Sequence, residues 1–390
     1  MDAVSQNTVP TAGTARLREH LLALVGADLA SKLPPACITS EQDWMDLLAL
    51  AAWHAVVPAF ARGVAASGLP LPTGTATRLH DALREIAQHN AVLAMEMVRV
   101  CRGFEESGLP VLTFKGVATA LQLYGSLAGR SAGDIDLLVA EADFDRAVTL
   151  LTNHGYERKE IYPPSLQASL WNDQRRVSID LHWGVPPARF GFHTPPLWQQ
   201  AQRLNVLGAA VSTLSPEHAL LVLAINVVKE PWPPPLHQLV DFAQVVSCRD
   251  TLDWDVVLRE AKELGCQRIL AVTMTVIHRL WRIEPPFPLG RLHPAPLQLA
   301  RCADEILVQL HQAGPGDGTP RPRIFRRWAD YHGQLQDALV GRVRLMFRRV
   351  LEPTPADRAW LQLPGSFGRL YWLLRPLRVL TQTITTGRRR

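Results

Sequence analysis

Two acidic residues inside an apolar run constrain the fold of this chain more than any other feature. Asp134 and Asp136 are separated only by Ile135, in a run that reads DIDLLV. Because side chains alternate along a β-strand, both carboxylates would face the same side. Two acids held together in apolar surroundings are costly unless a positive charge lies between them. The pattern therefore predicts a buried strand that presents a cation site, and a divalent ion is the obvious candidate.

The residues before this pair predict a β-α-β arrangement. Residues 111–114 are typical of a short strand, 117–124 of a short helix, and 135–139 of the second strand. Lys115 and Gly116 then lie at the turn into the helix, where backbone amides favour anions.

A later alternating run adds a third acid. In residues 176–183, Asp180 and His182 alternate with apolar residues and so share the polar face of a predicted strand. In a compact mixed sheet, this strand would lie in the same sheet as Asp134 and Asp136.

Helical periodicity dominates the remainder of the chain. Apolar spacing with capping residues predicts helices over 15–25, from Ser40 to Val64 with a break at Pro58, and over 75–107. Further helices are predicted after Ser215 and after Asp253. The predicted fold class is α+β, with a small mixed sheet flanked by helical segments. The expected parts are a disordered lead-in (1–14), an N-terminal helical segment (15–108), the α/β core (109–210), a helical domain (211–313), a linker (314–322) and a basic helical C-terminal segment (323–390).

Composition narrows the class of protein. With 390 residues and 47% apolar content, the chain can bury a substantial core. No run reaches the ~18 uncharged apolar residues of a membrane span, and the N-terminus does not resemble a secretory signal. The five cysteines form no CxxC pair. We therefore expect a cytoplasmic protein without disulfides, structural zinc or a transmembrane segment.

The net charge of +5 is unevenly distributed. From Arg321 onward the chain has fifteen arginines and four acidic residues, so the preceding part is acidic overall. A basic end of this kind indicates contact between residues 323–390 and an anionic surface, a nucleic acid or another partner. The alternative is a solvated arginine face on terminal helices that pack back on the helical domain.

The ordered set of motifs resembles the polymerase-beta-like nucleotidyltransferase superfamily. Gly125-Ser126, then the DID strand, then the lone Asp180 follow that superfamily's order. More narrowly, the sequence is similar to a bacterial family of uncharacterised nucleotidyltransferases. That similarity also rests on the runs FKG, LYG, IDLHW, LSPEHALL, LVDFAQVV, LDWDVVLREA and LYWLLRPLRVL, which extend it over most of the chain.

The resemblance implies transfer of a nucleoside monophosphate from an NTP to a hydroxyl or phosphate acceptor, with release of pyrophosphate. Asp134 and Asp136 would bind two Mg²⁺ ions, with Mn²⁺ as an alternative, and Asp180 would complete the catalytic site and help to deprotonate the acceptor. The acceptor, which the sequence leaves open, can be a small molecule, a peptide, a protein or RNA. Two rival hypotheses are a non-catalytic nucleotide-binding or adaptor protein, and a nucleic-acid-binding factor that uses the arginine-rich end.

Other residues are secondary candidates for the site, each with a structural alternative. Gly125 and Ser126 would hold the β- and γ-phosphates, although the pair is equally typical of a helix C-cap.

Lys115 and Arg130 would contact phosphate, although Arg130 could be a solvated loop residue. His182 would orient Asp180 or contact the acceptor, or be a hydrogen-bonded structural histidine. Lys229 and Asp241 could reach the cleft from the helical domain, or be solvated.

Overall fold

A computed structural model of the chain describes most of its first 312 residues and parts of the rest. The described residues are 12–29, 38, 40–162, 166–185, 190, 192, 194–229, 236–248, 252–292, 296–312, 331–337, 340–343, 347, 351, 360–361, 370–376 and 378. The predicted linker at 314–322 and most of the predicted lead-in at 1–14 lie outside these residues, as does much of the basic C-terminal segment.

Twelve α-helices are defined within the described residues up to position 312. They are α1 (Ala12–Ala27), α2 (Glu41–Trp53), α3 (Val57–Ser67), α4 (Thr73–Glu106), α5 (Gly116–Tyr124), α6 (Phe144–Asn153), α7 (Pro195–Gln199), α8 (Pro216–Lys229), α9 (Leu236–Ser247), α10 (Trp254–Leu264), α11 (Gln267–Trp281) and α12 (Pro296–Gln312).

The helix boundaries follow from capping chemistry. The Ser40 hydroxyl accepts a hydrogen bond from the backbone N–H of Asp43 at the start of α2, and Asp253 accepts two at the start of α10. The predicted break in the second helical run lies between α2 and α3, with Pro58 in the first turn of α3, where its missing N–H costs little. Among the described helices, none combines the length and the apolar composition that a membrane span requires.

Within the part of the chain that the structure describes, seven strands form one mixed sheet, which confirms the predicted α+β class. They are β1 (Leu112–Thr113), β2 (Ile135–Leu138), β3 (Glu157–Tyr162), β4 (Gln167–Asn172), β5 (Val177–His182), β6 (Gln202–Val206) and β7 (Ala209–Thr213). The strand order is β3-β4-β5-β2-β1-β7-β6, in which β2 pairs parallel with β5 and β1 pairs parallel with β7. The hairpin β6–β7 thus extends the sheet to Thr213, three residues beyond the expected end of the core.

Each face of the sheet packs on different helices. Ile135, Leu137 and their neighbours on β5 join a core with α4 and α6. Leu138 instead joins a second core, built from the first three helices and from α8 to α12. Because side chains alternate along β2, Asp136 projects to the same face as Leu138, toward this second group of helices.

A segment near the C-terminus packs against the helical domain. Tyr331 and Leu335 are buried in the second core. The carboxylate of Asp337 accepts hydrogen bonds at 2.7 and 2.8 Å from the backbone N–H groups of Gln267 and Arg268, the first two residues of α11. Residues 331–337 therefore cap α11, whose own N-cap residue forms no side-chain cap bond.

Helices α1 and α3 pack so closely that one contact tolerates only glycine. A Cβ atom at Gly63 would lie 1.8 Å from the carbonyl oxygen of Leu24. We predict that Gly63→Ala lowers the free energy of unfolding by about 1–3 kcal/mol, measured by urea denaturation, because the helices must separate.

The matched control is Gly74→Ala in α4, where the nearest atom belongs to the end of the Glu41 side chain, which can move. Because Gly74 lies in the first turn of α4, the substitution should be neutral or stabilising by less than the roughly 1 kcal/mol by which alanine exceeds glycine in a helix interior. If Gly63→Ala were stabilising to a similar extent, the close packing of α1 on α3 would be wrong.

Candidate functional site

The parallel pairing of β2 with β5 brings two of the predicted acids together. Asp136 lies directly beside Asp180 in the strand register, and Leu138 lies beside His182. Asp134 immediately precedes β2. All three acids line one cavity of about 420 Å³, between the sheet and the helical domain.

One oxygen of Asp136 accepts two hydrogen bonds from basic residues. The Lys115 ammonium lies 2.9 Å and the His182 Nε2 atom 3.0 Å from Asp136 Oδ1. Although burial opposes ionisation, Lys115 and His182 hold the pKa of Asp136 well below its usual range. The carboxylate is only 8% exposed, so this compensation is what allows it to be buried as an anion.

His182 is hydrogen-bonded to Asp136. The orienting role that we predicted for it was toward Asp180. Its ring is 1% exposed and packs edge-on against Phe114. Burial lowers the pKa of His182, and the Lys115 charge lowers it further. A neutral ring that donates to Asp136 carries its proton on Nε2.

Asp180 is held by neutral donors from the adjacent strand β4. Gln167 Nε2 lies 2.8 Å from one carboxylate oxygen, and Ser169 Oγ lies 2.6 Å from the other. Gln167 also lines the cavity. Neither residue was predicted from the sequence to belong to the site. Their signal is the alternation of polar Gln167 and Ser169 with apolar Ala168 and Leu170, which predicts a strand with its polar face on the side of Asp180.

Asp134 differs from the other two acids. Its carboxylate forms no hydrogen bond or ion pair within the described part of the chain. Burial raises its pKa to about 7, and the charges of Asp136 and Asp180 contribute to the shift. In the protein without bound ions, Asp134 therefore exchanges a proton near neutral pH.

The turn from β1 into α5 delivers Lys115 to the acids through an unusual backbone. Lys115 has φ 60° and ψ −159°, a backbone conformation that residues other than glycine rarely adopt. Gly116 follows with φ 40°. A Cβ atom at Gly116 would lie 3.0 Å from the carbonyl oxygen of Asp134. The glycine thus allows the turn to approach the acidic strand closely.

Arg130 and Asp241, predicted as separate site residues, form a buried ion pair. Arg130 Nε lies 2.9 Å from Asp241 Oδ2, and Arg130 Nη1 donates to the carbonyl oxygen of Gly116 at 3.0 Å. The hydroxyl of Tyr124 donates to the other oxygen of Asp241 at 2.8 Å. Arg130 is 7% exposed and also lines the cavity, so it is not a solvated loop residue. The pair links the helical domain to the turn that carries Lys115.

The N-terminal helices hold the loop before the acids. The Asn90 side chain on α4 donates to the carbonyls of Leu127 and Arg130 and accepts from the backbone N–H of Ala132. Arg62 on α3 donates to the carbonyl of Gly129 at 2.9 Å. This loop is therefore fixed by side chains more than 35 residues earlier in the sequence, which spacing alone did not indicate.

Gly125 and Ser126 lie away from the cavity. Gly125 ends α5 with φ 62°, the left-handed conformation of a helix C-cap, and Ser126 Oγ accepts from the backbone N–H of Ala128. Lys115 and Gly116 lie at the other end of this nine-residue helix, about 14 Å away at the usual rise per residue. Gly125 and Ser126 thus form the helix C-cap that was the alternative prediction. Their contact with phosphate stays a prediction.

The helical domain supplies the remaining wall of the cavity. Lys229 at the end of α8, and His237 and Gln238 at the start of α9, line it together with Ala55. The carbonyl of Lys229 accepts a hydrogen bond from His332 at 3.0 Å, so residues 331–337 also brace this wall. Burial lowers the pKa of His237 to about 3, which keeps its ring neutral.

Three residues could hold a metal ion together. Asp136, Asp180 and His182 each offer one ligand atom, and these atoms lie within 4.8 Å of one another. Asp134 is outside this group but lines the same cavity. Anionic oxygens with a neighbouring imidazole can bind a divalent cation, and the adjacent Lys115 and Lys229 suit an anionic substrate.

Comparison with known proteins gives a family match for the same region. Residues 40–282, more than half of the chain, match the family described as uncharacterised nucleotidyltransferase. A search of curated proteins finds no match to this chain. Among solved structures, a nucleotidyltransferase-like antigenic protein from Paracoccidioides brasiliensis is similar at 17% identity and a TM-score of 0.35. The match covers 50% of this chain and 93% of that one. A likeness of this degree carries no argument about function.

The buried Arg130–Asp241 pair should matter far more than an exposed ion pair. We predict that Asp241→Ala lowers the free energy of unfolding by about 3–5 kcal/mol, because the Arg130 charge is left buried without its partner. Urea denaturation measures the change.

The control is Asp304→Ala, which removes the partner of Arg279 on the surface and should cost at most about 1 kcal/mol. Equal effects of the two substitutions would show that the buried pair does not hold the site together.

Because the pKa of Asp134 is raised, we predict that replacing its carboxyl group stabilises the fold more at high pH than at low pH. A carboxyl group whose folded-state pKa exceeds its unfolded value destabilises the fold as pH rises through the folded value. In EDTA, Asp134→Asn should therefore be about as stable as the wild type near pH 4 and more stable by roughly 2–4 kcal/mol at pH 8.5.

Urea denaturation across this pH range measures the difference, with Asp173→Asn as an exposed control on the β4–β5 turn. A gain from Asp134→Asn that is the same at all pH values would contradict the assigned pKa.

Proposed function

The chain belongs to the family of uncharacterised nucleotidyltransferases, and from this membership we propose a divalent-cation-dependent nucleotidyl transfer. In the proposed reaction a hydroxyl or phosphate oxygen of the acceptor forms a bond to the α-phosphorus of an NTP. The bond from that phosphorus to the bridging oxygen breaks, and pyrophosphate leaves. From the resemblance of its ordered motifs we also propose that the chain belongs to the polymerase-beta-like superfamily.

The observation that carries the proposal is the convergence of three acids and several basic residues on one cavity. Asp136 and Asp180 are neighbours on parallel strands, and Asp134 lines the same cavity. Lys115, Arg130 and Lys229 line it as well. Phosphoryl transfer is catalysed mainly by positioning and by neutralisation of phosphate charge, which a site with this composition can provide.

The residues present fit a divalent ion. Mg²⁺ prefers oxygen ligands, which Asp134, Asp136 and Asp180 supply, and Mn²⁺, which accepts the same carboxylate ligands, is the alternative. When bound, the metal would neutralise phosphate charge and make the attacking hydroxyl more acidic. We propose that Asp134 and Asp136 contact the two ions that the resemblance implies, and that Asp180 contacts the one nearer the acceptor.

The basic residues have different proposed roles because their existing contacts differ. Arg130 is committed to Asp241 and to the Gly116 carbonyl, so we propose that it fixes the phosphate-facing turn while presenting its remaining edge to the cavity. Asp241 then acts on the site through Arg130. Lys229 enters from the helical side, and we propose that it contacts the triphosphate or the acceptor.

The hydrogen bonds to Asp180 bear on its proposed role as the base. Gln167 and Ser169 each occupy one lone pair of the carboxylate and leave one further lone pair on each oxygen. Asp180 can therefore accept a proton or bind an ion without changing its orientation. We propose that the two β4 residues keep it in that orientation.

Loss of any of the three acids should abolish transfer. We predict that Asp134→Asn, Asp136→Asn and Asp180→Asn each lower label transfer from an α-³²P-labelled NTP by about a thousandfold or more, because several kcal/mol of charge stabilisation is lost. The assay offers each NTP with Mg²⁺ or Mn²⁺ to pools of small molecules, peptides, proteins and RNA, and measures labelled acceptor and pyrophosphate.

Asp173→Asn, an exposed acid outside the cavity, should transfer at the wild-type rate. Equilibrium dialysis with a non-hydrolysable NTP analogue separates the rival hypothesis. Metal-dependent binding of the analogue, without transfer by the wild type to any acceptor pool, would favour a non-catalytic nucleotide-binding protein. Transfer that persists in Asp136→Asn would sink the proposed mechanism.

A further inference from the structure

We infer that Lys115 is a built-in counter-ion of the acidic site, which weakens divalent-cation binding until a nucleotide is present. The inference rests on the proposed function, because it concerns the same acids and the same cavity. It assigns Lys115 a role beyond phosphate contact: the residue couples cation binding to nucleotide binding.

The contacts of Lys115 show that its charge serves the acids. The ammonium lies 2.9 Å from Asp136 Oδ1, and its side chain is 13% exposed. It also lies 4.5 Å from the centre of the Phe114 ring, a favourable cation–π distance. The cation therefore has two partners within the site and little contact with bulk water.

The backbone keeps Lys115 in this place. Its φ of 60° with ψ of −159° is costly for a residue with a side chain and persists only where surrounding contacts enforce it. Those contacts are present, because Arg130 holds the carbonyl of Gly116 and the Asp134 carbonyl packs against the Gly116 Cα. Strain of about 1–3 kcal/mol is thus retained where the ammonium meets the carboxylate.

A divalent ion at these acids would meet this charge. Lys115 and His182 occupy Oδ1 of Asp136, so an ion must either bind through the remaining oxygen or displace the ammonium. Even at the dielectric constant of water, a single and a double charge about 6 Å apart repel enough to weaken binding about tenfold. Lys115 therefore lowers the affinity of the nucleotide-free site for a cation.

A triphosphate changes this balance. Its negative charges give Lys115 a second anionic partner inside the cavity, which reduces the repulsion that a divalent ion meets. Nucleotide and cation then favour each other's binding, as thermodynamic linkage requires. The lysine would discourage occupation of the site by a cation alone.

Manganese binding to the nucleotide-free, full-length protein tests the inference without any need for turnover. Free Mn²⁺ is measured by electron paramagnetic resonance for the wild type, Lys115→Met and Lys115→Arg. We expect Lys115→Met, which keeps the length of the side chain but not its charge, to bind Mn²⁺ about tenfold more tightly. Lys115→Arg should bind like the wild type, and Asp136→Asn should bind much more weakly.

The same neutral variant should lose affinity for the metal-free NTP analogue, measured by equilibrium dialysis in EDTA. If Lys115→Met does not fold, Lys115→Gln gives the same comparison, because the glutamine amide is uncharged and can still donate to Asp136. Thermal denaturation shows whether each variant is folded. Binding of Mn²⁺ by the neutral variants alone would also support the inference.

Two results would overturn the inference, and they differ in what they say of the proposed function. Equal or weaker Mn²⁺ binding by the neutral variants, with clear binding by the wild type, would refute the role of Lys115 and leave the metal site intact. No Mn²⁺ binding by any protein, with or without the NTP analogue, would refute both the inference and the cation dependence of the proposed reaction.

Discussion

The parallel pairing of β2 with β5 is the constraint on which the site depends. It places the carboxylates of Asp136 and Asp180 side by side on a partly buried face, where like charges repel. The protein offsets this repulsion differently at each acid. Asp136 has a lysine and a histidine, Asp180 has two neutral donors, and Asp134 has no partner among the described residues and holds a proton up to about pH 7. Three acids of the same type thus have three different sets of neighbours.

Both helical parts of the chain are needed to present these acids. Asn90 and Arg62, in the N-terminal helices, fix the loop that precedes β2. Asp241, in the helical domain, holds Arg130 and through it the turn that carries Lys115. The matched family region covers residues 40–282 and includes all of these contacts. The site is therefore a product of packing between helices and sheet, and the sheet alone would not position its basic residues.

The sequence predicted much of the fold because its signals are local. An apolar run identified the strand of Asp136, and alternation of polar and apolar residues identified that of Asp180. Ser40, Pro58 and Asp253 located helix ends through their own backbone chemistry. Contacts between distant residues gave no such signal. The pairing of Arg130 with Asp241 joins residues 111 positions apart, so the sequence indicated two separate site candidates, each with a solvated charge as the alternative, and not that they meet. Gly125-Ser126 shows the opposite problem, because a short motif that suits both a phosphate site and a helix C-cap does not reveal which end of a helix faces the cavity.

The features that lower the stability of the fold are concentrated around the cavity for which we propose nucleotidyl transfer. A strained backbone at Lys115, a carboxyl with a raised pKa at Asp134 and a buried anion at Asp136 all border the same cavity. Each lowers stability unless a neighbour compensates, and the compensating groups are cations or hydrogen-bond donors. Bound phosphates and metal ions provide charges of both signs and would relieve several of these costs together. A fold optimised only for stability would replace such groups with apolar residues, so their concentration at one cavity is itself an argument that the cavity binds charged ligands.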